Sequence, residues 1–269
     1  MFRSFFKRNV LSRDPWPMPH VSGVEPHVLF VITPPYSGST ALAELLQTSQ
    51  YITSLQERAE GQWLIPELSA RDRWVASKEV NFESVRRVWL AKFDELKKDE
   101  PQLSVLVEKS PPNMVRLEPL LGLFKSVSLL ANNRNPYANI ASLAKRVVRR
   151  ERSAPNRSDL IEGLATEWVK RSALIRDLVS NHSINLVTYE QFCQNPKILI
   201  EKLDLDSRVI ASIEFDKQLS IKGNKPTELV NFNAVQIDSL SDQDIKIISN
   251  KLLGNEELLE FFGYEIIYN

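Results

Sequence analysis

A glycine and a group of hydroxyl side chains stand close together in the stretch VLFVITPPYSGSTALAELL, at residues 28–46. The apolar residues 28–32 predict a buried strand, and the residues from 41 onward predict an amphipathic helix. The loop between them contains Ser37, Gly38, Ser39 and Thr40. The first N–H groups of a helix have no partner within it, and the helix dipole is positive at that end. Since glycine also lets the backbone approach a ligand closely, this loop predicts a site for a phosphate or sulfate group.

The loop differs from that of the nucleotide-hydrolysing P-loop proteins. Their pattern, G-x-x-x-x-G-K-[ST], begins with a glycine and ends with a Lys-Ser or Lys-Thr pair. The present loop has neither feature. Taken alone, it fits an anion site and an ordinary strand-to-helix turn equally well, so the rest of the chain has to decide.

Polar segments follow each of four predicted strands. The strands are predicted at residues 28–32, 103–107, 126–131 and 184–187, with helical patterns between them. This alternation predicts an α/β fold with a parallel β-sheet flanked by helices. Ligands bind such sheets beyond the carboxyl ends of the strands. The polar segments at these ends are residues 34–40, 108–112, 134–142 and 189–190. We therefore expect them to meet at one edge of the sheet.

The remaining segments complete the expected organisation. Residues 71–98 have the apolar spacing of a helix, and residues 158–180 form the clearest helical pattern, with Ser158 as its N-cap. Residues 51–55 are a short β-prone piece. We predict an N-terminal arm at residues 1–26 and a single domain at residues 27–269.

Composition limits the classes of function. Lys and Arg together number 34, as do Asp and Glu, which argues against a nucleic-acid-binding protein. A single cysteine, Cys193, excludes an internal disulfide and fits a reducing compartment. No run approaches the ~18 apolar residues of a membrane span, so no stable membrane insertion is expected. The strand ends carry no His/Cys cluster or Asp-rich segment, so we expect no metal. These features predict a soluble cytoplasmic protein.

Together, the strand-end segments resemble the sulfotransferases that use 3′-phosphoadenosine-5′-phosphosulfate (PAPS). The motifs that carry the resemblance are P-Y-S-G-S-T at residues 35–40, E-K-S-P at 108–111, R-N-P at 134–136 with Ser142, and V-T-Y-E at 187–190. The resemblance covers roughly residues 27–266. It implies the P-loop-like sulfotransferase fold, with PAPS as co-substrate and no metal.

The resemblance also implies roles for individual residues. The 35–40 loop would hold the 5′-phosphosulfate, while Arg134 and Ser142, two helical turns apart, would hold the 3′-phosphate as a charge-assisted pair. Tyr189 or Trp63 would pack on the adenine or the acceptor. The residues expected to bind PAPS are Tyr36, Ser37, Gly38, Ser39, Thr40, Arg134, Ser142, Tyr189 and Lys222.

One departure from the family pattern concerns a cation. The family's loop usually has Lys or Arg just before Ser-Gly, where it steadies charge on the transferring group, and here that position is Tyr36. A tyrosine donates a hydrogen bond but brings no positive charge. Lys109 is our first candidate for the replacement cation, followed by Lys222 and Lys225.

A second departure concerns the catalytic base. The small-molecule branch of the family carries its histidine just after K-T, whereas Lys109-Ser110 is followed here by Pro111. The resemblance is therefore to the branch that uses a glutamate, as in carbohydrate, protein and bacterial sulfotransferases. Glu60 is the best match to that base and Glu57 the reserve, although each also fits a solvated loop charge.

The predicted function is transfer of a sulfuryl group from PAPS to a hydroxyl or amine of an unidentified acceptor, with Glu60 and Lys109 as catalytic residues. Two alternatives stay open. One is a sulfotransferase-like protein that binds the nucleotide but lost catalysis through Tyr36. The other is a P-loop kinase-like enzyme or nucleotide hydrolase with an altered loop.

Overall fold

A computed structural model describes residues 24–150, 156–220 and 225–268 of the chain. Within these ranges five parallel strands form one sheet in the order β2-β3-β1-β4-β5. The strands are β1 (His27–Ile32), β2 (Ile52–Thr53), β3 (Val105–Glu108), β4 (Val127–Asn133) and β5 (Asn185–Thr188). The predicted α/β fold with a parallel sheet is confirmed.

Helices connect and cover the strands. They are α1 (Ser39–Leu46), α2 (Pro66–Ser69), α3 (Phe82–Asp99), α4 (Leu117–Leu121), α5 (Pro136–Arg150), α6 (Arg157–His182), α7 (Tyr189–Gln194), α8 (Leu199–Lys202), α9 (Ser207–Ala211), α10 (Asn233–Ile237), α11 (Asp242–Leu252) and α12 (Glu256–Phe262). Short 3₁₀ helices occur at Glu57–Ala59, Gly61–Leu64, Pro111–Arg116 and Pro196–Ile198. No helix in the described ranges is both long and apolar enough to cross a membrane.

The central strand β1 divides the apolar core into two layers. Successive side chains of a strand point to opposite faces of the sheet. Phe30 accordingly packs in one layer with Trp89 of α3 and Trp168 of α6. Leu29 packs in the other layer with Leu42 of α1 and with residues of α7, α8 and α9. Burial on both faces fixes the strands in register, so that their carboxyl ends stop at one edge.

The structure corrects several predicted boundaries. The predicted helix at residues 71–98 begins only at Phe82, because Asn81 caps it by accepting a hydrogen bond from the Ser84 N–H. The turns before it are fixed by Arg116, whose guanidinium donates to the carbonyl of Val75 at 2.7 Å. The β-prone residues 51–55 supply a fifth strand, β2, where four strands were predicted.

The long helix α6 also starts earlier than predicted. Its N-cap is Asn156, whose side chain accepts hydrogen bonds from the N–H groups of Ser158 and Asp159. Ser158 is therefore inside the first turn and is not the cap. Most of the predicted arm, residues 1–23, lies outside the described residues, and β1 begins at His27.

Candidate active site

A cavity of about 440 Å³ lies at the carboxyl edge of the sheet. The segments that follow β1, β3, β4 and β5 all contribute to its wall. The four strand ends therefore lie together, as expected. The predicted site residues that line it are Tyr36, Gly38, Ser39, Thr40, Glu60, Trp63, Lys109, Arg134, Ser142 and Tyr189. Side chains far apart in the chain thus share one space large enough for a nucleotide-sized ligand.

The loop after β1 has a backbone that requires glycine at position 38. Gly38 has a φ of +79°, and a Cβ atom there would lie 2.2 Å from Cδ2 of the Tyr189 ring. Tyr36 also lies in the left-handed region, with a φ of +65°. Gly38 is the N-cap of α1 and supplies no side chain to its first N–H groups. No side chain caps those N–H groups, and Gly38, Ser39 and Thr40 line the cavity, as an anion site needs.

Ser37 differs from the other loop residues because it does not line the cavity. It is fully buried, and its hydroxyl accepts a hydrogen bond from Asn139 Nδ2 at 3.2 Å. The same Asn139 amide donates to the carbonyl of Pro35 at 2.9 Å. Asn139 on α5 therefore holds the underside of the loop, and the Ser37 hydroxyl is engaged in that support.

Arg134 brings a positive charge to the cavity from the end of β4. Its side chain is buried, with 6% exposure. Nε donates to Asn233 Oδ1 at 2.9 Å, and Nη1 donates to the carbonyl of Tyr36 at 3.1 Å. The guanidinium carbon lies 4.2 Å from the centroid of the Tyr189 ring. Nη2 is buried and has no hydrogen-bond partner among the described residues.

The arrangement around Arg134 therefore leaves one fixed donor unused. A buried donor without a partner costs about 1–3 kcal/mol, and more when it belongs to a charged group. An anionic group in the cavity would satisfy Nη2, and Ser142 on the same wall could add a hydroxyl donor.

Lys109 stands between the loop and Glu60. Its side chain is 2% exposed, and Nζ lies 3.0 Å from Glu60 Oε1 and 3.4 Å from Thr40 Oγ1. Thr40 is in the first turn of α1, at the positive end of that helix. One ammonium group therefore touches both the anion-binding loop and a carboxylate.

The segment that carries Glu60 is tied to the end of β3. The Lys109 N–H donates to the carbonyl of Ala59 at 2.8 Å, and Glu108 Oε2 accepts from the Gly61 N–H at 2.7 Å. Ala59 itself has a φ of +56°. Because both neighbours of Glu60 are anchored, its carboxylate has a defined position.

Glu60 is ionised at neutral pH. Burial by itself raises the pKa of Glu60, but the charge of Lys109 and hydrogen bonds from Lys109, Trp63 and Gln62 outweigh it, so that the pKa is lowered. Burial lowers the pKa of Lys109, and Glu60 opposes that shift. The ammonium group therefore keeps Glu60 in the ionised form, the form that can accept a proton.

Glu108 is a buried carboxyl group beneath this site, with 1% exposure. Besides Gly61, it accepts from the Ser110 N–H at 2.8 Å and from Asn113 Nδ2 at 3.1 Å. Trp89 Nε1 donates to the carbonyl of Gly61 at 3.2 Å. A Cβ atom at position 61 would lie 2.6 Å from Glu108 Oε2. Glu108 therefore links the segment after Glu60 to the segment after β3.

Glu108 should make the stability of the protein depend on pH. Burial raises its pKa from 4.5 to about 7, although hydrogen bonds from Ser110 and Gly61 and the charge of Lys109 limit the rise. The folded protein then binds this proton more tightly than the unfolded chain does. The stabilisation is complete below pH 4.5 and is lost as the pH rises to about 7.

Against Glu108→Gln as reference, the wild type should lose about 3 kcal/mol of unfolding free energy over that range. Urea unfolding measures this difference, and parallel curves for the two proteins would contradict it.

Some predicted residues are not brought to the cavity. Glu57, the reserve candidate for the base, is exposed and does not line it. Lys225 is also exposed and does not line it. Lys222 lies outside the described residues. Among the described residues there is no group of three or more His, Cys, Asp or Glu that could hold a metal ion.

Sequence reasoning missed three residues that make contacts within the candidate site. Glu108 was visible in the E-K-S-P motif but was given no role. Gln62 contacts Glu60, and Asn233 holds Arg134, yet neither residue belongs to a motif. Asn233 also donates to Glu190 at 2.6 Å, which connects the start of α10 to the first turn of α7, directly after β5.

Solved structures of sulfotransferases resemble this fold. A sulfotransferase from Mycobacterium avium matches with a TM-score of 0.57 and 14% identity, over 91% of this chain and 79% of that chain. A sulfotransferase from Alicyclobacillus acidocaldarius matches with a TM-score of 0.54 and 13% identity, over 90% of this chain and 98% of that chain. Neither a family model nor a curated protein sequence matches the chain. The resemblance indicated by the strand-end motifs is therefore confirmed at the level of structure, and the chain has the fold of the sulfotransferases.

Proposed function

We propose that the protein transfers a sulfuryl group from PAPS to a hydroxyl or amine of an acceptor molecule. The observation that carries this proposal is the position of Lys109. Its Nζ contacts Thr40 of the anion-binding loop and Glu60, the candidate base, at 3.4 and 3.0 Å. A donor group held by the loop and an acceptor held at Glu60 would thus meet beside one ammonium group.

The residues around the cavity suit PAPS in two places. The free N–H groups at the start of α1 and the Thr40 hydroxyl suit the 5′-phosphosulfate. The unused Nη2 of Arg134 suits a second, separate anionic group, which in PAPS is the 3′-phosphate. An ordinary adenylate lacks that second group, so Arg134 would select PAPS over AMP and ATP.

Bound PAPS supplies a sulfuryl group that passes in line from the nucleotide phosphate to the acceptor oxygen or nitrogen. Glu60 takes the proton of the acceptor, a role that contributes about 10²–10⁴-fold in rate. Lys109 donates to the oxygen on which negative charge develops, and Thr40 and the loop N–H groups orient the donor. Lys109 thereby supplies the cation that the family usually places at position 36.

The proposal is tested by release of adenosine 3′,5′-bisphosphate from PAPS in the presence of a panel of hydroxyl and amine acceptors. We expect acceptor-dependent release without added metal, and no phosphoryl transfer from ATP. Nucleotide binding without release for any acceptor would favour the binding-only alternative. Transfer of the ATP γ-phosphate would favour a kinase.

Arg134 should decide the preference for the 3′-phosphate. In Arg134→Ala, affinity for adenosine 3′,5′-bisphosphate should fall about 10- to 100-fold, because a charge-assisted hydrogen bond to a buried donor is lost. Affinity for 5′-AMP, which has no 3′-phosphate, should change little. Arg149→Ala is the matched control, since Arg149 is exposed on α5 and does not line the cavity. An equal loss for both nucleotides would place the 3′-phosphate elsewhere.

A further inference from the structure

The order of the strands gives the cavity two different ends. β1 is the central strand, with β3 and β2 on one side of it and β4 and β5 on the other. Arg134 and Tyr189 follow β4 and β5, at the end that suits the nucleotide. The opposite end is lined by the segments that follow β2 and β3, at residues 58–74 and 109–112. Because Lys109 contacts the loop after β1 from this side, the space beyond it is left for the acceptor.

The acceptor end of the cavity is lined largely by apolar surface. Trp63, Trp74, Pro111 and Pro112 supply that surface. In the two segments that form this end, all of whose residues are described, Gln62 is the only amide or hydroxyl side chain that lines the cavity, and it is 2% exposed. A sugar needs partners for several hydroxyl groups, whereas an aromatic ring needs only an apolar face. The acceptor end therefore suits an aromatic compound.

Trp63 connects the candidate base to a guanidinium group. Its ring is 52% exposed, and its Nε1 donates to Glu60 Oε2 at 2.9 Å. The guanidinium carbon of Arg73 lies 5.7 Å from the centroid of the same ring. The carboxylate and the guanidinium are therefore separated by no more than one indole ring and its two contacts. A ligand as long as a substituted benzene ring can reach both groups.

This end of the cavity carries an excess of positive charge. Arg58, Arg73 and Lys109 line it, and Glu60 is the one carboxylate that the same two segments contribute to the lining. Neither Arg58 nor Arg73 forms an ion pair with a carboxylate of the described residues. Arg73 donates one hydrogen bond, from Nη1 to the carbonyl of Ala70 at 3.3 Å, so most of its five N–H donors stay available. Such a cluster of cations attracts an anionic ligand and opposes a cationic one.

We propose that Arg73 is a specificity-determining residue that recognises an aromatic hydroxyl compound with an anionic substituent. The ring hydroxyl donates to Glu60, the ring packs against Trp63, and the anionic group pairs with Arg73, while Arg58 adds positive charge. The hydroxyl oxygen bonds to sulfur, its proton passes to Glu60, and adenosine 3′,5′-bisphosphate leaves with the electron pair of the broken S–O bond. This inference rests on the proposed transfer from PAPS.

The test uses three phenols that differ in the charge of one substituent: 4-hydroxyphenylacetate, 4-hydroxyphenylacetamide and tyramine. Release of adenosine 3′,5′-bisphosphate from PAPS gives kcat/KM for each phenol. Calorimetric titration of the protein saturated with adenosine 3′,5′-bisphosphate gives the Kd of each phenol without any turnover. We expect the anion to exceed the neutral amide by about 10-fold in both measurements, since one charge-assisted hydrogen bond is gained, and tyramine to be the poorest.

Two variants of Arg73 assign this preference to its charge. In Arg73→Gln the anion should fall to the level of the amide. In Arg73→Glu the order should reverse, so that tyramine exceeds 4-hydroxyphenylacetate. Partial unfolding lowers all three phenols together and cannot reverse their order. Arg71→Gln is the matched control and should keep the preference of the wild type, because Arg71 is exposed and does not line the cavity.

The outcomes separate this inference from the proposed function. Equal kcat/KM values for the three phenols, or an unchanged order in Arg73→Glu, would overturn the role of Arg73 and leave transfer from PAPS intact. Release of adenosine 3′,5′-bisphosphate with other acceptors, but with none of the phenols, would overturn the aromatic class. Absence of bisphosphate binding, and of release with any acceptor, would sink the proposed function itself.

Discussion

Glu60→Gln should lower kcat for sulfuryl transfer by about 10²–10⁴-fold. The amide has nearly the shape of the carboxylate but cannot take the proton of the acceptor. Affinity for adenosine 3′,5′-bisphosphate should stay the same or tighten, because the change removes a negative charge 3.0 Å from Lys109 Nζ. Single-turnover rates and nucleotide titrations of the same preparation separate the two effects.

Glu57→Gln is the matched control for that experiment. Glu57 lies three residues earlier, is exposed and does not line the cavity, so its substitution should leave kcat unchanged. Turnover at the wild-type rate in Glu60→Gln would remove Glu60 from the mechanism. A large loss in Glu57→Gln would mean that the wrong carboxylate has been assigned.

Lys109→Met should affect both catalysis and stability. Loss of the charge beside the transferring group should cost about 10²–10³-fold in kcat, as removal of other charge-stabilising donors does. Because Lys109 is buried and paired with Glu60, its removal leaves an uncompensated carboxylate and should lower the unfolding free energy by about 3 kcal/mol. Denaturant unfolding and single-turnover kinetics measure the two losses.

The double variant Lys109→Met/Glu60→Gln separates the two roles of the pair. Without the unpaired carboxylate, the free energy of unfolding should recover by at least half of the loss, whereas turnover should not recover. Recovery of both would mean that Lys109 acts only by holding Glu60. Recovery of neither would mean that Lys109 supports the fold through contacts other than this ion pair.

The convergence of the strand ends at one edge of the sheet could be predicted, because it follows from a small number of physical rules. Buried strands that alternate with helices make a parallel sheet, and parallel strands end at one edge. The positions of Gly38, Lys109, Arg134 and Tyr189 around one cavity follow from that topology. The fold could therefore be predicted from two features alone, the period of the apolar residues and the location of the polar strand ends.

The detailed contacts of the site could not be predicted in this way. Glu108 contacts Gly61 across 47 positions of sequence, and this contact depends on a tight turn in which Arg58 and Ala59 have positive φ values. Neither arginine nor alanine indicates, by its residue type, a backbone with positive φ. The same limit explains the error at residues 71–81, where Val75 and Val80 belong to the apolar set of the predicted helix but the chain forms turns.

Calorimetric titration of the wild-type protein with adenosine 3′,5′-bisphosphate, beside 5′-AMP and ATP with magnesium, measures whether the cavity recognises a 3′-phosphate. We expect micromolar binding of the bisphosphate and binding of AMP weaker by about 10- to 100-fold, because only the bisphosphate carries a second anionic group for the unused donor of Arg134. Equal binding of the two nucleotides, or a preference for ATP with magnesium, would contradict it.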